Sequence, residues 1–157
     1  MSSKPDRAGV LAPPPLIYLA FLALALALHY CCWPLPMGMP AVIRHGLAVV
    51  LTSGALSLLE GARSKFQQAG TEMRPWLPTT AIVELGPYRW TRNPMYLGVT
   101  MIYLAIGLWA DSWLPVLLLW PLLETLKRGV ILREERYLTE KFGDEYCRYK
   151  ERVPRWF

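Results

Sequence analysis

"GPYRWTRNPMYLGVTMIYLAIGLWA" occupies residues 86–110, and its reading decides the fold. The first half, 86–98, is irregular and basic, with two arginines, two prolines and two glycines. From 94 to 110 no charge appears, close to the roughly 20 apolar residues that cross hydrocarbon. Asn93-Pro94 marks the boundary, with asparagine suited to the N-cap and proline to the first helical position. The spacing predicts a helix from Pro94 with Tyr96 in its first turn.

Three further apolar stretches flank this one, at 16–33, at 41–59 and at 112 to about 132. The second carries Arg44 and His45 near its start; the fourth contains Glu124, Lys127 and Arg128. The chain has 157 residues, 54% hydrophobic and 18% charged, a membrane-protein balance within the length of one domain. The expectation is an all-α integral membrane protein with about four transmembrane helices and a cytoplasmic helical tail. It divides into a lead (1–15), two helices (16–59), a connection (60–93) and two helices plus tail (94–157).

The charges set the orientation. Lys and Arg lie at 4, 7, 44, 63, 65, 74, 89, 92 and from 127 onward, while 34–40 and 111 hold none. The positive-inside rule then puts both termini and residues 60–93 in the cytoplasm of a multi-pass protein. The net charge of +5 suits loops beside anionic lipid, and no nucleic-acid partner is expected. Lys4, Arg7 and Ala25-Leu26-Ala27 also resemble a signal peptide, but the apolar run passes Ala27 and more spans follow, so a retained helix is expected. Cys31, Cys32 and Cys147 have no metal-ligand spacing. His29 and His45 could meet at the outer ends of the first two helices, where packing is the expected role.

A helix N-terminus favours a bound anion. Arg89 and Arg92, just ahead of Pro94, either add to such a site or anchor the helix in lipid headgroups. In "WPLLETLKRGVILREERYL", residues 120–138, Glu124 and Arg128 are spaced to pair, Lys127 can snorkel to the interface, and Pro121 is a candidate kink. Glu134 and Glu135 are about 100° apart around a helix, so only one can face a given site; they are either a solvated face or acceptors for an ammonium or ribose hydroxyls. Gly143 breaks the helix and Asp144 is a candidate N-cap. Tyr146, Tyr149 and Val153 then share one face, fitting an interfacial helix or core packing.

"GPYRWTRNPMYLG" (86–98), followed by "REERYLTEKFGDEYCRYKERVPRW" (133–156), resembles the membrane methyltransferases of the isoprenylcysteine carboxyl methyltransferase type, related to the phospholipid methyltransferases. The shared pattern is G-x-Y-x-x-x-R-[HN]-P-x-Y-x-G, then E-E-x-x-L, F-G-x-x-Y and V-P-R. Gly86, Tyr88, Arg92, Asn93, Pro94, Tyr96 and Gly98 fit the first part. Glu134, Glu135, Leu138, Phe142, Gly143, Tyr146, Val153, Pro154 and Arg155 fit the second. The likeness covers roughly 66–157 and identifies that stretch as the methyltransferase core.

The resemblance implies S-adenosylmethionine as methyl donor and S-adenosylhomocysteine as product, with the tail forming the cofactor pocket. It implies cofactor contacts from Thr80, Ala81, Ile82, Val83, Tyr88, Asn93, Pro94, Met95, Tyr96 and Glu134, with Glu135 beside it. Arg92, Tyr96 and Glu134 are the candidate catalytic residues, and Arg89, Glu124 and Arg128 the candidates for holding the acceptor. No metal is implied. The acceptor is expected to be a membrane lipid or another lipophilic or small molecule bearing a carboxylate, thiol or amine. A bacterial inner membrane is the expected location, and the oligomeric state is left open. The eukaryotic carboxyl methyltransferases have His where this chain has Asn93, and Arg where it has Val130, so a prenylated protein substrate is not carried over. An NADPH-dependent sterol-reductase-like enzyme and a non-catalytic membrane scaffold are the alternatives.

Overall fold

The computed structural model describes residues 6–74 and 76–156. Lys4, counted above among the N-terminal cations, lies outside the described residues. The fold is helical, with 69% helix and no strand among the described residues. Helix α1, Pro14–Ala27, begins inside the proline run and ends in a π turn, Leu28–Cys32. Helix α2 is Ala41–Gln68, α3 is Pro94–Trp109, and a 3-10 turn, Gly86–Arg89, precedes α3. Then follow α4, Leu114–Leu117, and α5, Leu119–Leu126, a π turn at Lys127–Ile131, α6, Leu132–Phe142, and α7, Asp144–Arg152.

Among the described residues, two helices are long and apolar enough to cross a membrane: Pro14–Cys32 and Ala41–Gln68. In α2 only Ala48, Ala55 and Ala62 are buried, while Val42, Ile43, Leu47, Val49, Val50 and Leu56 are exposed. The core helix of a soluble protein would hide that face; a bilayer would cover it. The buried alanines recur every seven residues and form a small-residue seam toward α3. There the backbones approach closely: a Cβ on Gly98 would come 2.7 Å from Leu59 Cγ. The core on the other side joins Ile17, Tyr18, Tyr103, Leu122, Leu126 and Val130.

Two local expectations are corrected. The stretch from 112 to 132 is not one continuous helix: it breaks at Leu118 between α4 and α5, then widens into the π turn. Pro121 has no N–H to extend the ladder backward, so the interruption falls three residues before it. Asp144 is not an N-cap. Gly143, at φ 55°, holds that position and Asp144 is the first helical residue. Only a residue tolerant of the left-handed region makes so sharp a corner between α6 and α7.

The C-terminal end of α3 is fastened by one arginine. Arg44 donates from Nη1 to the carbonyls of Leu108 and Trp109, at 2.9 and 3.1 Å, and its Nε lies 3.5 Å from Asp111. Asp111 also accepts from the Met37 amide, and the Trp113 amide donates to Leu35. The two cation-free connections therefore meet at one end of the molecule. His29 accepts from the Leu35 amide there, and His45 stacks on Trp109.

Candidate active site

At the opposite end of α3 a cavity of about 240 Å³ opens between α1, the end of α2, the connection, the start of α3, α6 and α7. Its walls follow from local structure. Tyr88 is carried by the 3-10 turn, where Gly86 takes φ 63°. Tyr88 is buried edge-on against Phe66, and its carbonyl accepts from the Tyr149 hydroxyl at 2.9 Å. Tyr146, Tyr149 and Val153 form one buried cluster with Ile82, Leu138 and Phe142, so α7 packs on the protein through its tyrosine face.

The last residues lie across the start of α3. The Arg92 amide donates to the Pro154 carbonyl at 3.0 Å. Thr91 Oγ1 and Asn93 Nδ2 both donate to the Arg155 carbonyl, at 2.9 and 3.1 Å. Asn93 is the N-cap residue of α3, but its side chain makes no capping bond. It fastens the tail instead, and the first-turn amides of α3 have no intrahelical partner.

The adjacent glutamates of α6 diverge as helical spacing requires. Glu134 accepts from the Tyr96 hydroxyl at 2.8 and 2.9 Å, one contact to each oxygen. Glu135 is held by Arg92 Nη1 at 2.8 Å and by both arms of Arg155, at 2.9 and 2.8 Å. Burial raises the Glu135 carboxyl, but the hydrogen bonds from Arg155 and the charges of Arg92 and Arg155 outweigh it and leave it below its ordinary value. Glu134 goes the other way. Desolvation lifts it to about 7; the Tyr96 bond pulls it down and the Glu135 charge pushes it up. Glu134 stays partly accessible through the cavity that it lines.

Of the residues expected at a cofactor site, Ala81, Ile82, Val83, Tyr88, Asn93, Met95, Tyr96, Glu134 and Glu135 line the cavity, as does Arg92. Thr80 and Pro94 do not: Thr80 is exposed, its amide bonded to Thr71 Oγ1, and Pro94 is buried behind the wall. Arg89 is exposed, and Glu124 and Arg128 pair with each other on α5 and its π turn; all three lie outside the cavity. Arg92 Nε is buried without a hydrogen-bond partner.

Sequence reasoning missed two walls. Pro14, Pro15 and Tyr18 enter from α1, and Glu72, Met73, Arg74 and Trp76 from the connection. Tyr18 donates to the Tyr96 carbonyl at 2.8 Å, which fixes α1 to the first turn of α3. The signal for it was a tyrosine hydroxyl in an apolar run, which usually has a partner when buried.

The model of the phospholipid methyltransferase family matches residues 42–145, well over half of the chain. The chain belongs to the phospholipid methyltransferase family. A Haemophilus influenzae protein described as uncharacterized is 45% identical over 65 residues, 40% of this chain and 98% of that protein. No solved structure matches the chain. Membership in this family implies methyltransferase activity, and with the two apolar helices it points to a membrane protein.

Proposed function

We propose that this phospholipid methyltransferase family member transfers a methyl group from S-adenosylmethionine to a lipophilic or small acceptor at the cytoplasmic membrane face. The observation that carries the reading is the Tyr96–Glu134 hydrogen bond, which joins the two separated motifs at one cavity. The walls suit that donor. Glu134 offers a carboxylate to an ammonium or ribose hydroxyls, and the open amides of α3 offer donors to a carboxylate. Tyr88 and Tyr96 present rings to a cation, and the buried Arg92 Nε has a free donor. When bound, S-adenosylmethionine supplies an electrophilic methyl group on a cationic sulfur.

The chain's own work is then to orient and to exclude water. Arg92, Tyr96 and Glu134 are the residues proposed to act at the reacting end. Glu135 and Arg155 keep Arg92 in place. A carboxylate or thiolate acceptor needs no base, whereas an amine must first lose a proton, a task within reach of a carboxyl near 7. Isoprenylcysteine-like and phospholipid acceptors both fit this description.

The same reading places α3 and the α4–α5 segment in the bilayer beside α1 and α2, with both termini cytoplasmic. Exposed Trp33, Trp109 and Trp113 gather at the end where the two cation-free connections meet, and exposed Trp90 lies at the other, as interfacial belts do. A membrane-impermeant thiol reagent should label Cys31 and Cys32 on intact cells, and Cys147 only after permeabilisation. Reversed labelling would refute the placement.

Incubation of the purified protein with methyl-labelled donor and host lipid extract, followed by mass spectrometry, tests the activity. A labelled lipid is the expected result. No labelled product, together with heat of binding for NADPH and none for S-adenosylhomocysteine, would contradict it.

A further inference from the structure

A second concavity of about 690 Å³ lies on the far side of the N-terminal segment from the donor cavity. Ala8 and Tyr137 border both, so residues 6–11 form a strap that partitions them. The strap is fastened to α6 and its approach. The Leu11 amide donates to the Gly129 carbonyl at 2.9 Å, Arg133 Nη1 donates to Gly9, and Lys141 meets Asp6 at 2.7 Å.

The groove holds five basic side chains against two acidic ones. Asp6 engages Lys141, and Glu124 engages Arg128 from outside the groove. Glu140 has an interaction of its own. Arg133 gives one hydrogen bond to a carbonyl and no ion pair, and Arg7 and Arg136 have no partner among the described residues. Three cations from two chain segments thus line one concavity, none of them in an ion pair among the described residues.

Exposed apolar residues precede the groove's Arg128 along the chain. Leu117, Trp120, Glu124 and Arg128 follow at spacings of three and four along α4, α5 and the π turn, and Leu117 and Trp120 are exposed. Leu132, itself 37% exposed, lies within the groove. Acyl chains along Leu117 and Trp120 would bring a headgroup to Arg128 and the groove beyond it.

We propose that this groove binds the phosphate of an anionic phospholipid, bridging Arg7 of the strap to Arg133 and Arg136 of α6. The site is separate from the donor cavity and rests on the membrane placement proposed above, not on the methyl-transfer chemistry. A lipid bound there clamps the strap against α6, and so braces one wall of the donor cavity.

The test is native mass spectrometry of the full chain in uncharged detergent, titrated with phosphatidylglycerol and with phosphatidylcholine. Phosphatidylglycerol should bind, and Arg7→Gln and the double variant Arg133→Gln/Arg136→Gln should weaken it, the double variant about tenfold. Arg63→Gln, an exposed cation on α2, should leave it unchanged. Folding of each variant is checked by circular dichroism, and Arg7→Gln removes no contact of the fold. Equal retention of phosphatidylcholine, equal loss in Arg63→Gln, or displacement of the lipid by equimolar inorganic phosphate would each overturn the proposal. The wild-type chain's S-adenosylhomocysteine affinity, measured in the same detergent, reports separately on the donor cavity.

Discussion

Both ends of α3 are secured by a buried arginine and a carboxylate, yet only one end builds a site. At the C-terminal end, Arg44 finds two carbonyls and Asp111, and the single carboxylate present is engaged. At the N-terminal end there are two carboxylates. Glu135 is held by Arg92 and Arg155, and Glu134 is left to the Tyr96 hydroxyl and the cavity. The difference is a surplus carboxyl group in a desolvated place. The first arrangement fixes geometry; the second fixes geometry and retains a group able to bind a cation or take a proton.

Glu135→Ala should show the largest effect. It leaves Arg92 buried without its carboxylate, at a cost of about 3 kcal/mol, read as a lowered thermal midpoint in detergent. A loss no larger than that of Asp111→Asn would erase the contrast between the two ends. Glu134→Gln should do the opposite. Between the ordinary value of 4.5 and about 7 the folded protein keeps a proton that the unfolded chain has released, so stability falls as pH rises through that window. The amide cannot ionise, and the variant should be more stable than wild type at pH 8, on the order of 2 kcal/mol. Equal stability at pH 8 would mean that Glu134 is not desolvated. Asp111→Asn should cost least, on the order of 1 kcal/mol or less, because Asp111 is 37% exposed, Arg44 keeps both carbonyls, and asparagine tolerates φ 52° and keeps an acceptor for the Met37 amide.

Much of the N-terminal end of α3 was legible in the sequence. Asn93-Pro94 located the helix start because proline's fixed φ suits a first turn, although Asn93 bonds the tail rather than capping, and the neighbouring glutamates had to diverge because helical geometry is local. What escaped was long-range. Arg155 fitted a pattern but had no visible partner until the chain folded back 20 residues onto Glu135. Tyr18 lay in an apolar run whose periodicity does not say which face meets α3. The break falls at Leu118, three residues before the candidate kink Pro121, because proline disrupts the turn before itself, and nothing local announces the π turn at 127–131.

The surplus carboxylate is the centre of the account, and calorimetry of S-adenosylhomocysteine binding tests it most directly. Wild type and Cys147→Ser should bind alike above pH 7, with wild-type affinity falling up to about tenfold per pH unit below it as a proton competes for Glu134. Glu134→Gln should bind at least about tenfold more weakly and lose that pH dependence. Affinity in Glu134→Gln equal to wild type, with the same pH profile, would contradict the central claim.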